Sequence, residues 1–318
     1  MILVAPDKFK GTFTAQEICE IVERRLRVAG IDEEILGCPM SDGGEGIAEN
    51  YMPGSKRIAP GIYEKDGRRL VVSSEIVGFS AFSGKNIPLI ERTSYALGKA
   101  VIPGIPTVIA VGGTATSDGG AGFLQGLGVK FYDKKHREIE EHLSPVSLRR
   151  VCSADLSVLE HFDISGIIDV RAGLTDGSLS ALDFARQKAL PGENPDILKD
   201  ALAHFREIMG GRSEWDGAGG GLGYAIATII GANCMSGGEA AVGNLKVNWE
   251  DVKLIITGEG KVDKQTVLGG KLVDAVYREG VRRNIPTIVL YGTCEPALPY
   301  PHMAQLESNW EQTVAEIL

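Results

Sequence analysis

Short apolar runs rich in Val and Ile alternate along the chain with segments whose apolar residues recur every three or four positions. The short runs predict five buried strands, at residues 2–5, 34–38, 107–111, 254–256 and 287–290. The first run is followed by a predicted helix, in which Thr14 and Glu17 form a capping-box pattern and Gly30 suits the helix end. Strands that alternate with helices indicate a mostly parallel α/β sheet.

The middle of the chain follows a different pattern. Residues 63–77 predict a hairpin with Asp66-Gly67 as its turn, and a helix is predicted from Asn194, with Pro195 at its first position. A Gly-rich stretch at residues 216–223 then opens an apolar helix through residue 230. The central segment is therefore predicted to be a second domain inserted in the first.

The domain boundaries follow from this reading. Residues 1–62 plus 252–318 are predicted to form the first α/β domain and residues 63–251 the inserted one, although residues 104–124 are also compatible with the first domain. A length of 318 residues agrees with two domains, because one hydrophobic core rarely serves so long a chain.

Charge and cysteine content narrow the function class. The chain has 33 basic and 42 acidic residues, a net charge of −9, which disfavours nucleic acids and anionic membranes as partners. Five cysteines without a CxxC pair fit free thiols in a reducing compartment. No apolar run approaches a membrane span, and the apolar start is too short for a signal peptide. We expect a cytoplasmic protein.

Candidate chemistry lies in loops that follow the predicted strands. Two DGGxG segments begin at Asp42 and Asp118, and a third acidic Gly-rich segment spans residues 258–263. Glycines let backbone amides approach an anion, and carboxylates can hold Mg²⁺. The structural alternative is a tight turn in which Asp caps the next helix. Three such segments together favour a metal-assisted, anion-binding enzyme, and the absence of a Walker A motif excludes the P-loop class.

Four motifs of the chain are similar in sequence to those of a known family. Residues 4–11 are similar to the family's opening APDSFKGS, PMSDGGEG at 39–46 to PMADGGEG, and GGTATSDGGAG at 112–122 to GGSATNDGGAG. Residues 256–266, ITGEGKVDKQT, are similar to ITGEGxxDxQT. The matches occur in the family's order from residue 4 to about 291 and are specific in combination. On these motifs the chain resembles the bacterial type I glycerate kinases.

The resemblance implies a fold and a reaction. It implies two α/β domains, one with a flavodoxin-like (Rossmann-like) parallel sheet and a second α/β domain inserted in it, with the site in the cleft between them. It also implies ATP and Mg²⁺ as cofactors and D-glycerate as acceptor, with phosphoglycerate formed by in-line transfer. Whether the 2- or the 3-hydroxyl reacts does not follow from the sequence, and a homodimer is left open.

Roles are assigned to residues on this basis. Asp118 is the predicted base, with Asp169 as the alternative, and Lys10 is predicted to offset charge on the transferred group. The predicted metal ligands are drawn from Asp42, Glu45, Glu259 and Asp263. The predicted substrate- and phosphate-binding residues are Asp7, Lys10, Ser41, Gly43, Gly44, Gly112, Gly113, Thr114, Thr116, Gly119, Gly120, Gly219, Gly220, Gly221, Gly258 and Gly260.

One departure from the family concerns the acceptor. The family's DVxNPL reads Asp169 to Leu174 here as DVRAGL, without the asparagine and proline. Arg171 could bind a more anionic acceptor, or it could form a salt bridge. Two alternatives therefore stay open: a kinase of a different small hydroxy acid, and a non-catalytic paralogue that binds a metabolite.

Overall fold

The structure is a computed structural model that describes residues 1–41 and 46–318. The chain divides into two compact units: unit 1 is Met1–Asp42 with Ser236–Leu318, and unit 2 is Gly43–Met235. The described strands are β1 (Ile2–Val4), β2 (Ile35–Gly37), β3 (Lys56–Ala59), β4 (Ile62–Lys65), β5 (Arg68–Val72), β6 (Thr107–Val111), β7 (Lys130–Tyr132), β8 (Ser153–Asp155), β9 (Ile164–Ile168), β10 (Asn233–Ser236), β11 (Leu254–Val262), β12 (Thr287–Cys294) and β13 (Met303–Gln305).

Helices connect these strands. The described α-helices are α1 (Ala15–Val28), α2 (Ile47–Tyr51), α3 (Ser73–Ile76), α4 (Phe79–Phe82), α5 (Tyr95–Lys99), α6 (Ala121–Leu127), α7 (Ala181–Lys188), α8 (Leu198–Met209), α9 (Gly237–Gly243), α10 (Lys264–Leu268), α11 (Leu272–Arg283) and α12 (Glu311–Ile317). Short 3-10 turns occupy Leu89–Glu91, Leu148–Arg150, Ser157–His161, Pro195–Ile197, Ala218–Gly220 and Trp249–Asp251, and a π-helix spans Tyr224–Ile229.

Unit 1 is built on a five-stranded parallel sheet in the order β13-β12-β11-β1-β2. Numbered along the chain within this unit, the order is 2-1-3-4-5, which is that of flavodoxin. Alternate residues of β1 point to opposite faces, so Ile2 and Val4 pack with α1 and α12, while Leu3 packs with α11. The predicted α/β fold class with a flavodoxin-like sheet is confirmed.

The strands β11 and β12 are longer than the apolar pattern predicted. Their parallel pairing continues beyond the apolar runs, from Gly258 opposite Leu290 to Val262 opposite Cys294. The predicted acidic Gly-rich loop at residues 258–263 is therefore mostly strand. Glycine usually weakens a strand, but here the neighbouring backbone comes so close that a side chain would not fit. A Cβ at Gly258 would lie 2.3 Å from the Leu290 oxygen.

Unit 2 contains a mixed six-stranded sheet in the order β10-β9-β6-β5-β4-β3. The strands β5, β6 and β9 run parallel, while β4 pairs antiparallel with both β3 and β5. The β4–β5 hairpin turns at Asp66 and Gly67, whose φ angles of 48° and 74° are those of a type I′ turn, so the predicted turn is confirmed. The hairpin is shorter than predicted, because β5 ends at Val72 and α3 follows it. The main hydrophobic core of unit 2 includes Phe123, Phe131 and Phe205, all buried.

The predicted helix starts agree with the structure. At α1, the Thr14 hydroxyl accepts from Glu17 N at 3.2 Å and the Glu17 carboxylate accepts from Thr14 N at 2.7 Å. Asn194 caps the turn that leads into α8, with Pro195 at its first position. Among the described helices, α1 is the longest at 14 residues, and within the described part of the chain we find no helix with the length and apolarity to cross a bilayer.

Candidate functional site

In unit 1, the loop after β1 runs beside the glycines of β11. The Asp7 amide donates to the Gly258 oxygen at 2.9 Å, and one Asp7 carboxylate oxygen accepts from the Lys8 amide at 2.7 Å. A Cβ at Gly260 would lie 3.1 Å from the Lys10 amide nitrogen. The two segments therefore meet backbone to backbone at the carboxyl edge of the sheet, and the Lys10 residue itself is exposed there.

Two acids, Glu259 within β11 and Asp263 just after it, contact the same threonine. One Glu259 carboxylate oxygen accepts from the Thr266 hydroxyl at 2.6 Å, while Asp263 Oδ1 accepts from the Gln265 and Thr266 amides and so caps α10. The other Asp263 oxygen pairs with Lys261 Nζ at 3.0 Å. Burial acts to raise the pKa of Asp263, but the Lys261 hydrogen bond and the charges of Lys271 and Lys261 hold it below its ordinary value.

These acids fit Mg²⁺ to different degrees. Mg²⁺ takes only one or two carboxylates, completing its shell with water and substrate phosphate. The half-buried Glu259 at the carboxyl end of the parallel sheet fits that role, whereas the cap and the ion pair engage both oxygens of Asp263. Outside residues 42–45, we find no group of three or more His, Cys, Asp or Glu that could hold a metal.

Four of the predicted site residues lie in the segment 42–45. The predicted metal ligands Asp42 and Glu45, with the predicted phosphate-binding Gly43 and Gly44, lie outside the described residues. Ser41, which precedes them, is described and is buried.

In unit 2, three parallel strands end at one edge and present polar groups there. The Ser73 hydroxyl, just after β5, exchanges hydrogen bonds with Gly112 just after β6, at 3.1 and 3.2 Å. The Asp169 amide, just after β9, donates to the Val111 oxygen at 3.0 Å. Gly113 is exposed beside them with φ 63°, a left-handed conformation that favours glycine. This edge is where open α/β sheets bind ligands.

The other predicted phosphate-binding glycines of unit 2 lie where two loops pack against each other. A Cβ at Gly220 would lie 2.1 Å from the Thr116 oxygen, and one at Gly221 would lie 2.4 Å from the Gly119 Cα. The Gly119 amide donates to the Gly220 oxygen at 3.1 Å. The predicted phosphate-binding segments at 119–120 and 219–221 are thus brought together, and at these positions they approach each other's backbone.

Asp118 is buried and fully engaged in hydrogen bonds. Its Oδ2 accepts from the Ser94 amide and hydroxyl, both at 2.7 Å, and from the Gly122 amide at 3.3 Å. Its Oδ1 accepts from the Gly120 amide at 3.1 Å. Burial raises the pKa of Asp118 above its ordinary value, although these hydrogen bonds oppose the shift. The carboxylate ties the start of α6 to the residue before α5.

Asp169 differs from Asp118 in exposure. It is half-buried, whereas Asp118 is 1% exposed. Both lie in unit 2 with Thr114 and Thr116, which are buried.

A buried lysine that the sequence reasoning did not assign to the site lies behind this edge. Lys188 Nζ donates to the Thr116 oxygen at 2.8 Å and to the Thr114 hydroxyl at 3.1 Å. Burial lowers the pKa of Lys188 to about 8, against the opposing charges of Asp169 and Asp118. Lys188 continues the buried stripe of Ala181 and Ala185 on α7, so helical spacing indicates its face of the helix but not the burial of its ammonium group.

Arg171 forms the salt bridge that was one of its two predicted roles. Its Nε lies 3.1 Å from a Glu214 carboxylate oxygen, and its guanidinium stacks 4.7 Å from the centre of the Trp215 ring. Glu214 also accepts a backbone hydrogen bond from Ala172 at 2.8 Å. The changed 169–174 segment is therefore fixed onto the stretch that precedes the 216–223 glycines.

The whole chain has recognisable relatives. A model of the glycerate kinase family matches residues 2–310. The chain is 27% identical to a glycerate kinase from Bacillus cereus, over 99% of this chain and 91% of that protein. It is 28% identical to a glycerate 2-kinase from Escherichia coli, over 92% and 85% respectively. A crystal structure of a putative glycerate kinase 2 from Salmonella typhimurium shares the fold, with a TM-score of 0.65 at 24% identity and coverage of 99% and 94%.

Proposed function

The chain belongs to the glycerate kinase family, and on that premise we propose that it transfers the terminal phosphoryl group of ATP to a hydroxyl group of D-glycerate. The protein is a kinase. The observation that carries the proposal is the family match over residues 2–310, which includes both the unit 1 and the unit 2 loops. Relatives named glycerate kinase align over nearly the full chain.

In unit 1, we assign the phosphate side of the reaction to the carboxyl ends of β1 and β11. When bound, Mg²⁺ would neutralise phosphate oxygens, and Glu259 would hold it, with Asp42 and Glu45 as further candidate ligands. Lys10 is an exposed cation at this edge and would offset charge on the transferred group as a point charge. Gly258 and Gly260 let β11 pack backbone to backbone against the neighbouring strand and against the loop that carries Lys10, and so position that loop at this edge.

In unit 2, accessibility favours Asp169 over Asp118 as the group that takes the proton of the acceptor hydroxyl. A general base must come within hydrogen-bond distance of that proton. Asp118 is buried and accepts four hydrogen bonds from its own loop and from Ser94, whereas Asp169 is half-buried at the end of β9. We therefore give Asp118 the task of shaping the loop and Asp169 the contact with the acceptor.

Arg171 bears on the choice of acceptor. A cation that is already paired with Glu214 and stacked on Trp215 offers less uncompensated charge to a second acidic group. This favours D-glycerate, with its single carboxylate, over a more anionic hydroxy acid.

A coupled assay of ADP release tests the proposal. The protein is given ATP and Mg²⁺ with each of D-glycerate, L-glycerate, D-lactate, tartronate and D-malate. We expect D-glycerate to give the highest kcat/KM. A clear preference for another acid would replace the acceptor but keep the kinase, and ligand binding without ADP release by any of them would contradict the proposed activity.

A further inference from the structure

Lys188 carries a charged side chain that is buried, which costs free energy unless the charge is compensated. It is the last residue of α7 and is 8% exposed, although an isolated lysine ammonium strongly prefers water. Two hydrogen bonds compensate its burial, to the Thr116 oxygen and to the Thr114 hydroxyl. Both acceptors belong to the loop that follows β6, here called the 112–116 loop. Both side-chain hydrogen bonds of the buried ammonium group therefore stabilise the conformation of this one loop.

The other contacts of the 112–116 loop show how much depends on this lysine. The Ala115 amide donates to the Val77 oxygen at 2.8 Å, which holds the loop from the side of α3. Arg92, also buried, donates to the Ala115 oxygen at 3.3 Å and to the Lys188 oxygen at 3.0 Å. Among these contacts, Lys188 is the one that holds the far end of the loop, at Thr116.

The charges around Lys188 come from three other segments. Asp169 follows β9, Asp118 lies in the loop before α6, and both favour the ammonium form. Arg92, before α5, opposes it, and desolvation opposes it more strongly, so the pKa of Lys188 falls to about 8. The lysine is thus charged at neutral pH but loses its proton within the range in which an enzyme can be assayed.

We propose that Lys188, as an ammonium ion, is a positioning residue of the kinase reaction that holds the 112–116 loop in its substrate-binding shape through Thr114 and Thr116. The inference rests on the proposed function, because that function assigns the unit 2 edge to the acceptor. Lys188 need not touch the substrate. Its neutral form has one proton fewer to donate, and its attraction to Asp169 and Asp118 is lost, so the loop loosens above the pKa.

The test compares Lys188→Met and Lys188→Arg with the wild type, and uses Arg186→Met as the matched control. Arg186 lies on the same helix two residues earlier, but its side chain is 59% exposed and pairs with Asp183 and Asp196. The logarithm of kcat/KM is measured from pH 6 to 10. We expect wild type and Arg186→Met to lose activity above pH about 8.

For Lys188→Met, we expect kcat/KM at pH 7 to fall by about 10- to 100-fold, without the alkaline decline near 8. Lys188→Arg should recover part of the activity and keep it to higher pH, because guanidinium stays protonated. Unchanged kcat/KM in Lys188→Met, or an alkaline decline near 8 that persists in both variants, would overturn the inference. If Lys188→Met does not fold, the pH profile of Lys188→Arg decides alone by the same criterion.

Amide hydrogen exchange separates this inference from the proposed function. At pH 7, residues 113–116 should exchange faster in Lys188→Met than in Arg186→Met, and that difference should shrink at pH 9.5. If no hydroxy acid is phosphorylated by the wild type, the proposed function fails, yet this comparison still decides the loop claim. Equal exchange in the two variants would refute it.

Discussion

Asp118 and Asp169 both lie beyond strand ends in unit 2, yet their surroundings give them different tasks. Four donors surround the Asp118 carboxylate, and its pKa is raised by burial. The Asp169 amide is fixed on Val111, while the residue stays half-buried at the strand end. A motif match alone cannot separate these tasks, because each acid lies in a segment that aligns with a motif of the family.

We expect Asp169→Asn to lower kcat by about 10²- to 10⁴-fold, since it removes a general base but keeps the shape. Asp163→Asn, an exposed position before the opposite end of β9, serves as the control and should leave kcat unchanged. Steady-state kinetics at saturating ATP and acceptor provide the measurement. Full turnover by Asp169→Asn would remove it as the base.

Asp118→Asn should act mainly on stability. Asparagine has a single side-chain oxygen, so its NH₂ group would face either the Ser94 and Gly122 donors or the Gly120 amide, at a cost of about 1–3 kcal/mol in unfolding free energy. Urea unfolding measures this loss, and turnover assayed below the unfolding transition should be reduced less than in Asp169→Asn. If Asp118→Asn abolishes turnover without loss of stability, the base is Asp118 after all.

Lys188 gives a pH dependence of opposite sign in stability and in activity. Its pKa is about 8 in the folded protein and 10.5 in the unfolded chain, so between these values the unfolded chain binds more protons. Removing protons then favours the folded state, and stability rises with pH in this window. The unfolding free energy of the wild type should therefore increase relative to that of Lys188→Met from pH 8 to 10.5, as denaturant titrations can show. A relative decrease would mean that the folded-state pKa is not lowered.

At the scale of elements, the two Gly-rich segments of unit 2, residues 119–120 and 219–221, pack against each other. The loops at the carboxyl ends of the unit 2 strands depend on this packing. We expect Gly220→Ala to destabilise strongly, because its Cβ would meet the Thr116 oxygen at 2.1 Å. Overpacking costs about 1–3 kcal/mol or more, in addition to left-handed backbone strain of about 1–2 kcal/mol. Gly231→Ala is the matched control, since its φ is also 71° but the space around it is open. Thermal unfolding should show a much smaller loss for Gly231→Ala, and equal losses would contradict the packing account.

Local signals predicted the elements that local physics controls. The Thr14–Glu17 capping box and the Asp66-Gly67 turn each depend on a few adjacent residues, and both are present in the structure. The extension of β11 to Val262 was missed because glycine has low strand propensity, and only the neighbouring backbone explains it. Local spacing also does not reveal which segments meet, so the pairing of Gly119 with Gly220 could not be read from it.

Burial was the other quantity that the pattern did not supply. Lys188 continues an apolar stripe, but lysine in such a position usually extends to solvent, and only the loop that covers it makes it a buried cation. The Arg171 ion pair also needed its partner, Glu214, which lies 43 residues away in sequence.

At the scale of the whole molecule, each unit contains parallel strands whose carboxyl ends carry candidate residues. Unit 1 provides Glu259 and Lys10, and unit 2 provides Asp169 and the loop held by Lys188. A net charge of −9 is compatible with a small-molecule kinase, because a local site can carry cations such as Lys10 and Lys188 while the whole chain is acidic. The family match over residues 2–310 includes segments of both units, so the proposed reaction is expected to need the full chain.

³¹P NMR of the reaction follows the proposed transfer of a phosphoryl group from ATP to D-glycerate directly. The full-length protein is incubated with ATP, Mg²⁺ and D-glycerate. We predict that the γ-phosphate signal of ATP decreases while a phosphomonoester signal coupled to a glycerate proton grows by the same amount, and its coupling pattern identifies the 2- or the 3-position. Loss of ATP to inorganic phosphate alone, or no change in ATP, would contradict the account.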